Sequence, residues 1–255
     1  MVTGMARTLI AGNWKMNGSK DSVAEFEAMI SQLEDLPEVA DCLVCPPAIL
    51  LPLFNEVARG RIRLGGQTCH SEMCGAFTGD LSAEVLAEFG ASHVIVGHSE
   101  RRSMHGETDE IVASQALAAE RAGLVPIICV GESLPEREAG LALNIVARQL
   151  ANSIPNFEKE DQAFVVAYEP IWAIGTGEVA TPPQIAEVHG EMRRLLIERF
   201  GDRAASIPLL YGGSMKPGNA AEILSIPDVN GGLIGGASLK ASDFMAIYAA
   251  ASAAD

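Results

Sequence analysis

Eight short apolar runs, separated by longer amphipathic stretches, constrain the fold of this chain more than any other feature. They cover Thr8–Gly12, Cys42–Cys45, Ile62–Gly65, His93–Gly97, Val125–Val130, Phe164–Tyr168, Pro208–Tyr211 and Gly232–Ile234. Each is short enough for a strand and apolar on both faces, as a parallel strand covered on both sides must be. Helical spacing fills the gaps. Ser22–Leu33 places Val23, Phe26, Ile30 and Leu33 on one face; Asp109–Arg121, Gln184–Phe200 and Ser242–Ala250 follow the same rule. Strand and helix alternating eight times, with right-handed crossovers, close into a (β/α)8 barrel. An open doubly wound sheet is the structural rival.

The 255 residues suit one barrel of about 250 residues as well as two smaller domains. No linker, low-complexity segment or charge block divides them, so the expectation is a single α/β domain over residues 1–255. Met1 to Ala6 reads as a frayed leader, and Leu9-Ile10-Ala11 is far too short for the apolar region of a targeting peptide. No run approaches the ~20 apolar residues of a membrane span. The 33 acidic and 18 basic side chains leave a net charge of −15, which argues against nucleic acid or an anionic membrane as partner. The field of a site is local, so an anionic small substrate stays open. Five cysteines, an odd number, point to a reducing, cytoplasmic setting. Cys42 and Cys45 have metal-pair spacing but would face opposite sides of a strand. Cys69, His70 and Cys74 lack a second ligand pair for zinc. No metal site is expected.

In such barrels the chemistry stands at the C-terminal strand ends. After the first strand, alternation puts Asn13 and Lys15 beside Ala11, toward the barrel mouth. After the fourth come His98, Ser99, Glu100, Arg101 and Arg102. A short helix opening there disfavours the imidazolium and makes His98 a neutral donor, with Glu100 within reach of Lys15. After the sixth, Val165, Ala167 and Glu169 share a face, and a carboxylate closing an apolar strand is costly unless paired or used. Gly175 to Ala180 fits the dinucleotide pattern GxGxxA. The helix signal comes later, however: Thr181 as N-cap, Pro182 at N1 and Gln184 completing a capping box. Ile171–Ala180 instead reads as a lid hinged between Pro170 and Pro182-Pro183, offering a backbone N–H near Gly175. Tyr211-Gly212-Gly213-Ser214 and the Gly235-Gly236 pair let backbone N–H groups approach a phosphate without lysine or arginine.

These segments closely resemble the triosephosphate isomerase family over the chain from Thr8 onward. The resemblance rests on Asn13 to Gly18, Gly75 to Gly79, Gly97 to Arg102, Tyr168 to Gly177, Tyr211 to Ser214 and Gly235-Gly236. It implies a TIM-barrel fold and interconversion of dihydroxyacetone phosphate and glyceraldehyde 3-phosphate through an enediolate, in glycolysis and gluconeogenesis, without metal or organic cofactor. Glu169 would be the base, His98 the neutral electrophile, Lys15 the cation and Asn13 a hydrogen-bond donor. Gly175, Ser214, Gly235 and Gly236 would hold the phosphate. Glu100 would stand behind the lysine, and Cys129 would lie near the base. The resemblance also implies a homodimer, with Thr78 reaching the partner's site and with Met16 and Arg102 at the interface. Three positions depart from the family pattern: Asp80 in place of glutamate, which shortens a contact to Arg102; Thr68 after Gln67 in place of asparagine; and Glu178 in place of a lid lysine. A Schiff-base aldolase using Lys15 and a non-catalytic sugar-phosphate binder are the competing readings on the same barrel.

Overall fold

The computed structural model describes residues 6–58 and 60–253. Eight parallel strands close in sequence order: β1 (Leu9–Asn13), β2 (Asp41–Cys45), β3 (Arg63–Gly66), β4 (Ala91–Val96), β5 (Val125–Val130), β6 (Val165–Tyr168), β7 (Leu209–Tyr211) and β8 (Gly231–Ile234), with β8 pairing back onto β1. All eight apolar runs are strands, within two residues of their sequence limits. The chain is a (β/α)8 barrel, and the doubly wound alternative is set aside by the β1–β8 pairing. The leader expectation falls mainly on residues 1–5, outside the described residues. Ala6, its last residue, donates its N–H to the Ala205 carbonyl at 2.9 Å.

Two apolar layers explain why the strands carry no polar face. Inside the barrel lie Leu9, Ala11, Leu43, Cys45, Ile95, Ile127, Cys129, Val165, Ala167, Leu210 and Leu233. The alternate residues, among them Ile10, Cys42, Val44, Val94, Val96 and Val166, pack outward against the helices. Cys42 and Cys45 thus face opposite sides of β2. The α-helices are α1 (Ser22–Glu34), α2 (Leu51–Val57), α3 (Ala83–Glu88), α4 (Ser99–His105), α5 (Asp109–Arg121), α6 (Leu134–Glu138), α7 (Ala142–Ser153), α8 (Pro182–Phe200), α9 (Ala220–Leu224) and α10 (Ala241–Ala250). The expected capping box opens α8, with Gln184 Oε1 accepting from Thr181 N at 2.9 Å. No helix among the described residues is long and apolar enough to cross a membrane.

Two buried histidines make the fold sensitive to acid. His93 sits at the base of β4, and His189 on α8 donates its Nδ1–H to Asp228 O at 3.0 Å. Burial pushes both imidazoles down to about 4. Between about pH 6.5 and 4 the unfolded chain binds a proton at each that the native chain does not, so stability falls as pH falls through that window. Each ring should cost roughly 2–3 kcal/mol by pH 4.5. Urea midpoints measured from pH 7 to 4.5 should therefore fall, and His93→Gln should flatten the slope. An unchanged slope in that variant would mean that His93 is not held neutral.

Candidate active site

The C-terminal ends of the strands surround a cavity of about 430 Å³ lined by Asn13, Lys15, His98, Glu169, Gly175, Ser214, Gly235 and Gly236. Eight of the nine residues expected to act on substrate therefore meet in one place. The ninth, Glu100, stands just outside and reaches in through its partner: Lys15 Nζ donates to Glu100 Oε1 at 2.6 Å.

Glu169 arrives by alternation. Val165 and Ala167 fill the barrel interior, so the next residue on that face rises into the mouth, where it is 2% exposed. Two donors meet its carboxylate. Ser99 N donates to Oε2 at 2.8 Å, and His98 Nε2 lies 2.8 Å from Oε1. Burial favours the protonated acid, but His98, the Ser99 N–H and Lys15 outweigh it and hold the carboxyl below its usual range. His98 caps α4, its Nδ1 accepting from Glu100 N at 3.2 Å. Burial opposes the imidazolium while the Glu169 carboxylate favours it, and the contact raises the imidazole pKa on balance. The Nδ1 bond nevertheless assigns the proton. A lone pair committed to a backbone N–H leaves the ring one hydrogen, on Nε2, aimed at Glu169.

Lys15 does not arrive as the alternation rule expects. β1 ends at Asn13, and Lys15 has φ +51, so a left-handed turn rather than a strand aims it. Asn13 helps to hold that turn by accepting from Lys15 N at 3.0 Å, and Gln67 Nε2 donates to Lys15 O at 2.8 Å. Asn13 spends its carbonyl oxygen there, so its amide N–H₂ is the group left to face a ligand.

The glycines divide into two kinds. A Cβ on Gly212 would sit 2.9 Å from Glu169 Cγ and 3.0 Å from Tyr168 O, and one on Gly213 would collide with the Tyr211 hydroxyl. Packing against the base and its neighbours explains that pair. Gly235, at φ −83 and ψ −113, lies between the α and β regions open to other residues, Gly236 has no left-handed torsion, and a Cβ at either meets nothing closer than Lys15 Cε at 3.6 Å. Backbone torsion favours glycine at 235; at Gly236 neither torsion nor packing does, which leaves close approach of a ligand as the reason there.

Arg102, expected at an interface, is well bonded within its own chain. Its guanidinium is turned into its own subunit, donating to Gly97 O at 2.8 Å, Cys129 O at 3.0 Å, Ser153 Oγ at 2.9 Å and Asp109 Oδ1 at 2.7 Å. These bonds use four of its five N–H groups and leave one, on Nη1, for a partner. Thr78 and Met16 are exposed. Within the chain Asp80 Oδ2 lies 3.9 Å from His70 Nε2. Thr68 Oγ1 is 3.5 Å from Gln115 Nε2, and Glu178 is exposed on the lid.

A model of the triosephosphate isomerase family matches residues 8–251. The chain belongs to the triosephosphate isomerase family. A triosephosphate isomerase of Hyphomonas neptunium is 58% identical over 96% of this chain and 98% of its own length, and one of Ruegeria sp. is 55% identical over 98% and 100%. The crystal structure of triosephosphate isomerase from Bartonella henselae superposes with a TM-score of 0.88 at 48% identity, covering 96% of this chain and 98% of that one.

Sequence reasoning passed over one group of this site, at the root of the lid. Glu132 is fully buried after β5, where its Oε1 accepts from Tyr168 Oη at 3.1 Å and from Trp172 Nε1 at 2.9 Å. Ile171 N also donates to Glu132 O at 3.0 Å. These bonds pin the first lid residues, while Gly175 to Val179 beyond them stand exposed. Between Gly131 and Ser133 a glutamate reads as loop polarity. Only the fold brings it to Trp172.

Proposed function

We propose that the chain interconverts dihydroxyacetone phosphate and D-glyceraldehyde 3-phosphate by moving one proton between adjacent carbons through an enediolate. One observation carries this reading: a carboxylate and a singly protonated imidazole, 2.8 Å apart, share a barrel-mouth cavity with a lysine and two glycines that packing does not explain. A neutral histidine beside a glutamate base is the arrangement for which this enzyme family is itself the standard illustration.

The roles follow from the bonds. His98 Nε2–H faces Glu169, so binding must hand that hydrogen from the carboxylate to the substrate carbonyl oxygen, freeing Glu169 to take the carbon-bound proton. Lys15 and the Asn13 amide meet the oxygen where charge grows, and each donor aimed there can be worth about 2.7–4 kcal/mol. Ser214, Gly175, Gly235 and Gly236 take the phosphate. The lid from Gly175 to Val179 closes over it, keeping water from an enediolate that would otherwise expel phosphate. The buried Tyr211 hydroxyl meets no hydrogen-bond geometry among the described residues, and the Ala180 backbone at the lid's far end is the group set against it. None of these steps calls on a metal or organic cofactor. A coupled assay on D-glyceraldehyde 3-phosphate with chelator present should give turnover, and its absence would overturn the reading. The ion pair of Lys15 with Glu100 speaks against the aldolase alternative, since an ammonium so held has no lone pair to attack a carbonyl.

A homodimer and a cytoplasmic setting belong to the same proposal. Met16 is 97% exposed, and Met73, Phe77 and Leu81 stand out on the loop that carries Thr78. Apolar groups so placed mark an interface. The five cysteines are all unpaired. Sedimentation should give a particle of two chains, and Phe77→Lys should shift it to one chain with lower activity. A single-chain particle in the unsubstituted protein would remove the dimer.

A further inference from the structure

We infer that Lys216 captures the phosphate-bearing substrate electrostatically, as a cation at the lip of the cavity that the phosphate end otherwise lacks. The inference rests on the function proposed above and assigns to that reaction a residue outside the base, electrophile and glycine cradle.

The need comes from charge. A chain of net charge −15 repels a doubly charged anion at long range. Among the described residues lining the cavity only Lys15 and Lys216 are cationic side chains, and Glu169 is the anion. Lys15 is bound to Glu100 at 2.6 Å, so much of its field is cancelled at a distance. Lys216 has no ion-pair partner among the described residues and is exposed while still lining the cavity beside Ser214. Its charge therefore reaches solvent uncancelled.

The backbone beneath Lys216 is held firmly enough to aim it. Asn219 Oδ1 accepts from Lys216 N at 2.7 Å, and Asn219 Nδ2 donates to Ser214 O at 3.2 Å. One side chain thus clamps both ends of the Ser214–Lys216 turn. Met215 between them is 3% exposed and anchors the turn in the core. The flexible lysine stem stands on this fixed base, and a mobile point charge suits capture better than rigid binding. The family is a standing example of catalysis near the diffusional ceiling, where the encounter rate appears directly in kcat/KM.

The test is the ionic-strength dependence of kcat/KM for D-glyceraldehyde 3-phosphate in the full chain and in Lys216→Gln. At about 10 mM ionic strength, where the Debye length is about 30 Å, the variant should lose roughly 3- to 10-fold through KM, with kcat within two-fold. By about 0.3 M salt the gap should shrink below roughly two-fold as screening removes the attraction. Lys216→Arg should restore the salt dependence. Slow turnover of unphosphorylated D-glyceraldehyde should be the same in all three proteins, which a merely structural loss would not allow. Parallel salt dependences, or an equal loss on the uncharged triose, would overturn the inference while leaving the isomerase reading in place. No turnover by the unsubstituted chain would overturn both.

Discussion

Glu169→Gln should lower kcat by about 10³–10⁴, toward the upper end of what a general base contributes. The substitution keeps the volume and removes the charge and the basicity. It also disturbs the pair geometry. In the native site two hydrogens, on Ser99 N and on His98 Nε2, point at the two carboxylate oxygens from 2.8 Å. An amide offers one acceptor and one donor, so one of those hydrogens must turn away, at a cost of about 1–3 kcal/mol for a buried donor left unmet. Glu169→Asp separates position from charge. It keeps the carboxylate but withdraws it by about an ångström, enough to cost roughly 10²-fold. Steady-state kinetics on both trioses, with solvent hydrogen exchange into substrate, check the pair. A Gln variant within ten-fold of the native rate would remove Glu169 as base.

Glu169 was legible in the sequence because three inward positions of one strand, Val165, Ala167 and Glu169, keep strict alternation up to the mouth. The eight strands were legible for a related reason. Both faces are buried, so each appears as a continuous apolar run. Lys15 lines the cavity but not by alternation, since its aim comes from φ +51 beyond the end of β1, which no periodicity encodes. Helices α2, α3, α6 and α9, of five to seven residues, are too short to complete two turns of pattern. Arg102 shows the other limit. Two adjacent arginines look alike in sequence. In the fold Arg102 meets Asp109, Ser153 and two carbonyls, while Arg101 binds Glu107 and keeps a third of its side chain exposed. Glu132 was invisible because its meaning lies wholly in residues 36 and 40 positions away. Local chemistry can be read along the chain, but convergence of distant loops needs the barrel.

Lys15→Met should cost at least about 10³-fold in kcat/KM, more than the loss of one hydrogen-bond donor explains. The excess comes from Glu100. In the native protein its carboxylate is bound to Lys15 Nζ at 2.6 Å and lies 3.7 Å from His98 Nδ1. Remove the ammonium and the site does not become neutral; it keeps an unpaired anion next to the place where a dianionic substrate develops a further negative charge. At an effective dielectric of about 20, two unit charges roughly 5 Å apart repel by about 3 kcal/mol, itself some 10²-fold. The stranded carboxylate would also pull His98 toward the imidazolium, a poorer match for a ring whose Nδ1 already accepts from Glu100 N. Adding Glu100→Gln to Lys15→Met should therefore recover activity, by about ten-fold or more, although Glu100→Gln alone should lower it. That sign reversal is what a double-mutant cycle reads when one charge exists to be neutralised by the other. A double variant no better than Lys15→Met would mean that Glu100 positions the lysine without adding a field of its own, and a single variant within ten-fold of the native rate would remove Lys15 from the reaction.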